Sequence, residues 1–374
     1  MKITKKGIVA LLMCIVMLVG FCSCNSSKNY FYKTGSSEYV YKYGDYSIDK
    51  NFYNYWVSRY KAVLMYTYYD IEDTDKFWDA EYGEGTANEV LTGYADETIK
   101  NYLMSVYLFD KFGLEVPEAT QKAVDTQLQE ILDDGFDGNV ASLNEEAYKF
   151  GINYNMLKAI YLAEAKTELV YDYLNNNVLK ALLDDEIRQD YLKDNYAHTT
   201  HIFVATEYSY NVDKDGNVVY DENGGYTTKL TDEEKAQKKA LIEEIDALTL
   251  TADNFAEYQN KYNDDVAVNL YKNGYFVSSD ISFDTAYVSA ALTMEVGEIK
   301  KVEGTNGVYY IFKQEMPQKA YEDETNKDFF DKYDESVLNY LYWEYMEALY
   351  VDIEVNREIK ESINVKNVSP CWYM

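Results

Sequence analysis

The spacing of hydrophobic and polar positions changes twice along the chain. Residues 39–48 alternate between apolar and polar, with a turn signal at Gly44-Asp45, which predicts a small strand or hairpin. Asp49 can cap a helix whose apolar residues then recur every three or four positions. The same helical period fills residues 86–112, 118–132, 143–150 and 154–174. The first half of the chain therefore predicts a helical domain.

The spacing of apolar residues changes after Tyr196 from a helical period to a mixture of strand and helix patterns. A short acidic helix at residues 184–192 leads into a predicted strand at 200–206, and a Gly- and Asn-rich excursion follows. Two helices come next, at 230–248 with the capping box Thr231-x-x-Glu234 and at 254–262, and short strand and turn pieces fill residues 266–313. This mixture predicts a compact α+β domain.

Helical periodicity returns at residues 328–359, with many large apolar side chains. We expect this helix to fold back onto the N-terminal helices, because so much apolar surface must be buried. The predicted fold class is α+β, with the α+β domain inserted into a helical one. The predicted ranges are 1–23 for a signal peptide, 24–195 for the helical domain, 196–318 for the α+β domain and 319–374 for the returning helix.

The N-terminus has the pattern of an export signal. Three lysines precede an apolar run from residue 8 to 21, which is too short for a comfortable membrane span. Ser23 before Cys24 resembles a bacterial lipobox, so Cys24 is the expected lipidation site. Cys22 is a competing position, and an ordinary cleaved signal peptide is the alternative. A diacyl anchor would hold the chain at the extracytoplasmic face of the cell membrane.

The chain is strongly acidic, with a formal net charge of -30. This charge excludes affinity for nucleic acid and favours cationic or unfolded exported chains as partners, although solubility alone is an equal explanation. The 41 tyrosines suit grooves that hold peptides, or reflect a composition bias. After processing, Cys371 is the only unmodified cysteine, so no intramolecular disulfide is expected.

A series of short motifs follows in a recognisable order. They are Lys-Phe-Gly-Leu-Glu-Val at 111–116, His-Ile-Phe-Val at 201–204, Asn-Phe-Ala-Glu-Tyr at 254–258, Tyr-Asn-Asp-Asp at 262–265, Gly-Tyr-Phe at 274–276, Val-Gly-Glu-Ile at 296–299 and Tyr-Ile-Phe-Lys at 310–313. In this order, and after a lipobox, the mature chain resembles the PrsA foldase lipoproteins and the related SurA-type chaperones, which carry a parvulin-type peptidyl-prolyl isomerase domain.

The resemblance implies a prolyl isomerase site that needs no cofactor. Phe283 and Tyr287 would form the apolar cup for the prolyl ring, and His201, Asp265 and Tyr310 would form its polar floor. Alternatively, His201 is a core histidine, Asp264-Asp265 is a solvated turn and the two aromatic residues are only buried. His198 is a weaker candidate than His201.

Two positions depart from the family pattern. Tyr310 stands where the family usually has histidine, and its phenol cannot accept a proton near neutral pH. Asn273 replaces the apolar residue before the central glycine, in the predicted substrate-binding set. Both changes favour a slow or inactive isomerase.

No metal site is predicted. Residues 213–217 resemble the start of a calcium loop, but the glycine comes too early and no bidentate glutamate is correctly spaced, so we interpret residues 208–228 as a hairpin turning at Asp215-Gly216. His198 and His201 are the only two histidines and should lie on opposite faces of a strand, where they could not share a metal.

Three functional hypotheses follow. The first is an extracytoplasmic, lipid-anchored foldase that isomerises prolyl bonds in unfolded or proline-containing exported polypeptides. The second is a weak or inactive parvulin-like chaperone that only binds such chains. The third, a lipoprotein that binds small solutes, is disfavoured because it predicts two α/β lobes. The sequence leaves open which clients are bound and whether the chain forms a homodimer.

Overall fold

The structure is a computed structural model that describes residues 38–67, 71–83, 85–213 and 217–371. The predicted signal peptide, Cys24 and the turn at Asp215-Gly216 lie outside these ranges. Among the described helices, none is long and apolar enough to cross a membrane.

Contacts divide the chain into two units. One contains the described residues up to 181 together with residues 339–371, and the other contains the described residues of 182–338. The chain thus leaves the first unit and returns to it. The predicted α+β class is confirmed, since helices and antiparallel sheets are both present.

The first unit is mainly helical. Its strands and helices before the boundary are β1 Tyr39–Tyr43, β2 Tyr46–Asp49, α1 Lys50–Thr67, α2 Asp75–Trp78, β3 Glu81–Tyr82, β4 Gly85–Thr86, α3 Ala87–Lys111, α4 Glu118–Phe136, α5 Val140–Ala147 and α6 Tyr154–Leu174. A π-helical turn, Asn175–Leu179, and the short helix α7, Lys180–Leu182, follow.

Local signals in the sequence explain where these helices begin. The Asp49 carboxylate accepts the Phe52 backbone N–H at 2.9 Å, which confirms the predicted cap. Thr86 and Glu89 form a reciprocal capping box at the start of α3. The helices bury apolar faces that include Leu103 and Leu157, both fully buried.

The predicted single helix at residues 328–359 is wrong in its extent. The structure has α12 Lys327–Phe330, α13 Tyr333–Tyr350, β11 Glu354–Val355 and α14 Arg357–Glu361. The helix ends because Val355 pairs with Tyr41, adding β11 to the edge of β1 in the sheet order β11-β1-β2. Residues 354–355 therefore form a strand at the open edge of β1, although the sequence period there is helical.

The returning part of α13 packs inside the first unit. Tyr342 is 2% exposed, its hydroxyl donates to Asn101 of α3 at 3.1 Å, and its ring meets Tyr171 of α6 edge-on at 4.8 Å. Further along, the buried Lys61 ammonium donates to the carbonyl oxygens of Val365 and Val368. The C-terminal segment thus completes the helical core.

The second unit contains a four-stranded antiparallel sheet in the order β8-β5-β10-β9. Its main elements are α8 Asp185–Asn195, β5 Ala197–Ala205, β6 Tyr208–Tyr210, β7 Thr227–Lys229, α9 Asp232–Asp246, α10 Phe255–Tyr262, β8 Tyr275–Val277, α11 Thr285–Thr293, β9 Ile299–Glu303 and β10 Gly307–Gln314. The capping box predicted at Thr231 and Glu234 is present at the start of α9. β5 contains both His198 and His201, which confirms the prediction that one strand carries the two histidines.

The two faces of the central strand β5 support two separate cores. Alternate side chains from Ala197 to Ala205 face a cluster that includes α11, and the side chains between them, including Ile202 and Val204, face α9 and α10. The prediction that the two histidines lie on opposite faces is confirmed.

The boundaries of the second unit, at 181/182 and 338/339, differ from the sequence-based 195/196 and 318/319. The acidic helix α8 and the first turn of α13 hold each other within this unit. Arg188 makes two hydrogen bonds with Asp334, at 2.7 and 2.8 Å, and the Tyr333 hydroxyl donates to the Arg188 carbonyl. These contacts keep both segments with the α+β sheet.

Candidate functional site

His201 stands at the centre of one face of the sheet. Its side chain is fully buried, with Nε2 at 3.0 Å from Oδ2 of Asp265 and Nδ1 at 3.1 Å from the Tyr287 hydroxyl. β5 supplies the histidine, the loop after α10 supplies the aspartate and α11 supplies the tyrosine. Three of the sequence-predicted site residues are therefore joined by direct contacts: His201, Asp265 and Tyr287.

The protonation of these groups determines which atom donates in each hydrogen bond. An ionised Asp265 can only accept, so Nε2–H of His201 donates to it. In the neutral imidazole Nδ1 is then an acceptor, and the Tyr287 hydroxyl donates a hydrogen bond to it. The Thr199 hydroxyl, 2.9 Å from that of Tyr287, can in turn donate to Tyr287. The result is a continuous chain from Thr199 to Asp265.

Asp265 accepts a further bond at the same oxygen. The Tyr275 hydroxyl donates to Oδ2 at 2.6 Å, and the other carboxylate oxygen accepts the Ala267 backbone N–H at 2.9 Å. Burial alone would raise the pKa of Asp265, but the hydrogen bonds and charge interaction of His201, with help from Tyr275, leave this pKa below its usual value. Asp265 is thus held as a carboxylate.

The tyrosines of this network stay protonated. Burial is the main cause that raises the pKa of Tyr275, and the neighbouring Asp265 carboxylate raises it further. Burial also raises the pKa of Tyr287. Both phenols are therefore fixed hydrogen-bond donors near neutral pH.

Aromatic rings surround this polar chain. The ring of Phe283, which is half-buried, lies 6.2 Å from the His201 ring and 4.7 Å from that of Tyr287. Tyr309 meets His201 edge-on at 5.5 Å and stacks on Phe203 at 4.6 Å. The Asp265 side chain is only 10% exposed, so its charge lies in a largely apolar setting.

The placement of Tyr310 in the polar floor is wrong. Tyr310 pairs with Ile202, and Ile311 pairs with His201, so the Tyr310 side chain leaves the opposite face of β10. Its hydroxyl donates to Asp246 of α9 at 2.8 Å. The neighbouring Tyr309 is the β10 aromatic residue that contacts His201.

Tyr287 and Asn273 also differ from their expected places. Tyr287 is fully buried, and its hydroxyl is hydrogen-bonded to Nδ1 of His201. It therefore offers no surface to a ligand in this structure. Asn273 is exposed, and its amide group donates to Thr325 at 2.9 Å instead of facing the His201 network. Phe283 remains the accessible aromatic residue of the predicted cup.

His198 has a role of its own on the other face. Its ring stacks on Phe276 at 4.8 Å, and its two nitrogens lie 2.8 Å from the Glu315 carbonyl oxygen and 2.6 Å from that of Asn273. These contacts tie the ends of β8 and β10 to β5, so His198 is structural in this arrangement.

Tyr275, Tyr309 and Thr199 also belong to this network, although none of them is among the predicted site residues. Tyr275 was quoted only within the Gly-Tyr-Phe motif, whereas its hydroxyl bonds Asp265. The strand register identifies Tyr309. It pairs with Phe203, which lies two residues from His201 and therefore on the same face of β5. Among the described residues, no cluster of histidine, cysteine or carboxylate side chains could hold a metal ion.

Comparison with known proteins yields structural neighbours alone. No protein-family profile and no curated protein matches the chain. A PrsA structure from Bacillus subtilis is 18% identical over 78% of this chain and 91% of its own, with a TM-score of 0.20. PrsA from Bacillus cereus, described as a peptidylprolyl isomerase, is 16% identical over 76% and 97%, with a TM-score of 0.26.

The foldase PrsA from Lactococcus lactis is 13% identical, covers 87% of this chain and 98% of its own, and has a TM-score of 0.22. These structures are those of the family that the sequence motifs resemble.

Proposed function

We propose that this chain is an extracytoplasmic, lipid-anchored foldase whose α+β unit isomerises X-Pro bonds in exported polypeptides. The observation that carries the proposal is the series of hydrogen bonds Tyr287–His201–Asp265, which holds one ionised carboxylate next to aromatic side chains. A structural core has little need for such an arrangement, because burying a charge is costly unless it is fully hydrogen-bonded.

The geometry suits the chemistry of amide rotation. Rotation about an X-Pro bond has a barrier of roughly 20 kcal/mol because the bond has partial double-bond character. The barrier falls where a site removes the amide from water and interacts best with the twisted form. No nucleophile or metal is needed for this.

Each part of the site has a role in that mechanism. Phe283 and Tyr309 provide an apolar surface for the prolyl ring, and Asp265 provides a fixed negative charge beside it. His201 has no exposed surface, so it acts as a positioning residue that orients Asp265. Tyr275 shares this task through its 2.6 Å hydrogen bond.

The same burial favours a second candidate function. A fully buried His201 makes no contact with a substrate, as would be expected of a parvulin-like domain that binds peptide but isomerises it slowly. The rival is therefore a chaperone that holds unfolded exported chains without efficient catalysis.

An NMR exchange assay on short X-Pro peptides separates the two functions. We expect wild-type protein to accelerate exchange, and His201→Asn to lose most of this acceleration. The matched control is His198→Asn, which alters the chain's other histidine on the opposite face of β5. If the wild type has no activity but still suppresses aggregation of an unfolded client, the chaperone is the correct function.

The lipid anchor is tested separately. We propose Cys24 as the acylated residue, so Cys24→Ala should abolish incorporation of radioactive palmitate in a bacterial host. Cys371→Ala is the matched control, because Cys371 is buried within the first unit. Label that persists in Cys24→Ala would contradict the anchor while leaving the isomerase proposal intact.

A further inference from the structure

Three neighbouring cavities run along the helical first unit. The largest, about 490 Å³, shares Tyr60 and Tyr94 with an apolar cavity of about 280 Å³ on one side. It shares Asn101, Thr167 and Trp343 with a cavity of about 370 Å³ on the other side. Because neighbouring cavities have walls in common, they form one groove, which we call the helical groove.

The middle of the helical groove combines aromatic rings with carboxylates. Aromatic residues of its wall include Trp56, Tyr102 and Trp343, the last 41% exposed. Its carboxylates are Glu97, Glu164 and Glu168, and the adjoining cavity adds Asp172. Among the described residues that line the three cavities, there is no lysine, arginine or histidine.

Glu164 is the most enclosed of these carboxylates. Burial raises the pKa of Glu164, although the Tyr102 hydroxyl, which donates to it at 3.2 Å, and the charge of Arg59 counteract part of this effect. Arg59 does not line the groove, and among the described residues none of the four carboxylates forms a salt bridge. The described walls of the site therefore carry negative charge and no cationic side chain.

The aromatic wall also contains an unpartnered N–H donor, whose hydrogen bond a peptide carbonyl oxygen can accept and a guanidinium cannot. Trp56 is 8% exposed, and its buried indole N–H has no hydrogen-bond partner in the part of the chain that the structure describes. The rings of Trp56 and Tyr102 lie 5.3 Å apart, and the Tyr60 ring lies 5.8 Å from that of Trp56. Faces of such rings attract cations, and guanidinium groups pack against them while bonding carboxylates.

We propose that the helical groove binds a basic side chain of an extended polypeptide, with arginine preferred. The guanidinium would lie among Glu164, Glu168 and the aromatic wall, and a neighbouring apolar residue of the same peptide would enter the cavity lined by Val63, Leu64 and Val90. The proposal stands without the isomerase, because no residue of the α+β unit lines the groove.

Charge and shape together select this occupant. An acidic or neutral peptide would bring no partner for the carboxylates, and a metal ion would leave the aromatic wall without a function. Planar guanidinium can meet a carboxylate in two hydrogen bonds and a ring by its face at the same time, which ammonium cannot do.

The test is fluorescence anisotropy with the full chain and a labelled unstructured peptide, Ala-Leu-Ala-Ala-Arg-Ala-Ala-Ser. A second peptide has citrulline in place of arginine, which keeps the shape and removes the charge. We expect the arginine peptide to bind at least about tenfold more tightly, and added salt to reduce the difference. Equal affinity of the two peptides would overturn the proposal.

Variants locate the binding. Glu164→Gln and Glu168→Gln should each weaken the arginine peptide severalfold and leave the citrulline peptide unchanged. The control Glu130→Gln removes the same charge from an exposed position on α4 outside the groove. Glu168 is exposed, so its variant keeps the test valid even if the Glu164 variant folds poorly.

Two other outcomes would contradict the proposal. Self-association of the chain that Glu168→Gln abolishes, with no peptide binding, would mean that a second copy fills the groove. Arginine-dependent binding that all three glutamate variants weaken equally would mean attraction to the acidic surface as a whole. Neither result depends on the isomerase assay, so failure here is distinct from failure of the proposed function.

Discussion

The imidazole of His201 holds the carboxylate of Asp265 through a 3.0 Å contact, in which His201 is fully buried and the Asp265 side chain is only 10% exposed. Replacing Asp265 with asparagine leaves the His201 Nε2–H with a weaker acceptor and adds an amide donor beside Tyr275. We expect Asp265→Asn to lower the free energy of unfolding at pH 7 by about 2 kcal/mol. Urea denaturation measures the change.

The same contact sets a pH dependence. Because the pKa of Asp265 is lowered in the folded protein, its contribution is complete above the unfolded-state pKa of about 4 and is lost as the pH falls through the folded value. The stability difference between wild type and Asp265→Asn should therefore shrink below about pH 4. Asp253→Asn, an exposed carboxylate of the same unit, is the control and should show little difference at either pH. A pH-independent gap would contradict an ionised Asp265.

The two adjacent tyrosines of β10 give a second prediction, because they leave opposite faces of one strand. Tyr309 and Tyr310 are similarly buried, so Tyr309→Ala and Tyr310→Ala should each cost about 3 kcal/mol or more of stability. At temperatures where both remain folded, Tyr309→Ala should reduce isomerase activity at least about tenfold, and Tyr310→Ala should change it little. Equal losses of activity would mean that stability, and not contact with the site, controls the rate.

These tyrosines also show where sequence reasoning stops. The periodicity predicted the α+β class, the caps at Asp49 and Thr231, and the opposite faces of His198 and His201. It could not assign Tyr310 correctly, because a one-residue change of register moves a side chain to the other face of a strand. The resemblance placed the last motif of the α+β domain correctly to within one residue. The observed pairing of Ile311 with His201 shows that Tyr309, and not Tyr310, faces the site.

Burial of Tyr287 was hidden for a different reason. Tyr287 lies in the first turn of α11, which begins at Thr285, whereas Phe283 precedes this helix. How deeply this turn enters the core depends on distant residues, such as Thr199, that the helix itself does not specify. The end of α13 is likewise decided by an edge strand more than 300 residues earlier in the chain.

Gly274 gives a third prediction, which separates backbone strain from crowding. Gly274 has a φ of 93°, and a Cβ there would lie 2.7 Å from the Thr199 carbonyl oxygen. Gly297 has a φ of 88°, and a Cβ there would have nothing within 4 Å. Gly297→Ala should cost about 1–2 kcal/mol from the left-handed conformation alone, and Gly274→Ala about 1–3 kcal/mol more. Thermal denaturation of both variants checks this, and equal costs would contradict the close approach.

The fourth prediction concerns the segment that returns to the first unit. Leu341 and Met346 are buried in this unit, and β11 completes its small sheet. A chain truncated after residue 338 should therefore fail to fold its helical unit, as measured by circular dichroism and limited proteolysis of residues 38–181. The control truncation after residue 371 removes only the last three residues. An unchanged melting curve of the shorter chain would contradict the proposal that the returning segment belongs to the helical domain.

The last prediction concerns Lys61, a buried cation that joins the two ends of the first unit. Lys61 is 1% exposed and donates to the carbonyl oxygens of Val365 and Val368 at 2.9 and 2.8 Å, and it lies 2.7 Å from the partly exposed Asp73. Methionine has a similar length but no donor, so Lys61→Met leaves both carbonyl groups without this partner. We expect the free energy of unfolding to fall by about 3 kcal/mol.

Lys158→Met is the matched control, since Lys158 is 36% exposed and pairs with the half-exposed Asp125 at 2.5 Å. Exposed ion pairs contribute little because water and salt screen them, so this variant should change stability by less than about 1 kcal/mol. Urea denaturation followed by tryptophan fluorescence compares the two. Equal losses of stability in the two variants would mean that the buried ammonium of Lys61 stabilises the fold no more than an exposed charge does. The carbonyl groups of Val365 and Val368 would then have found other partners.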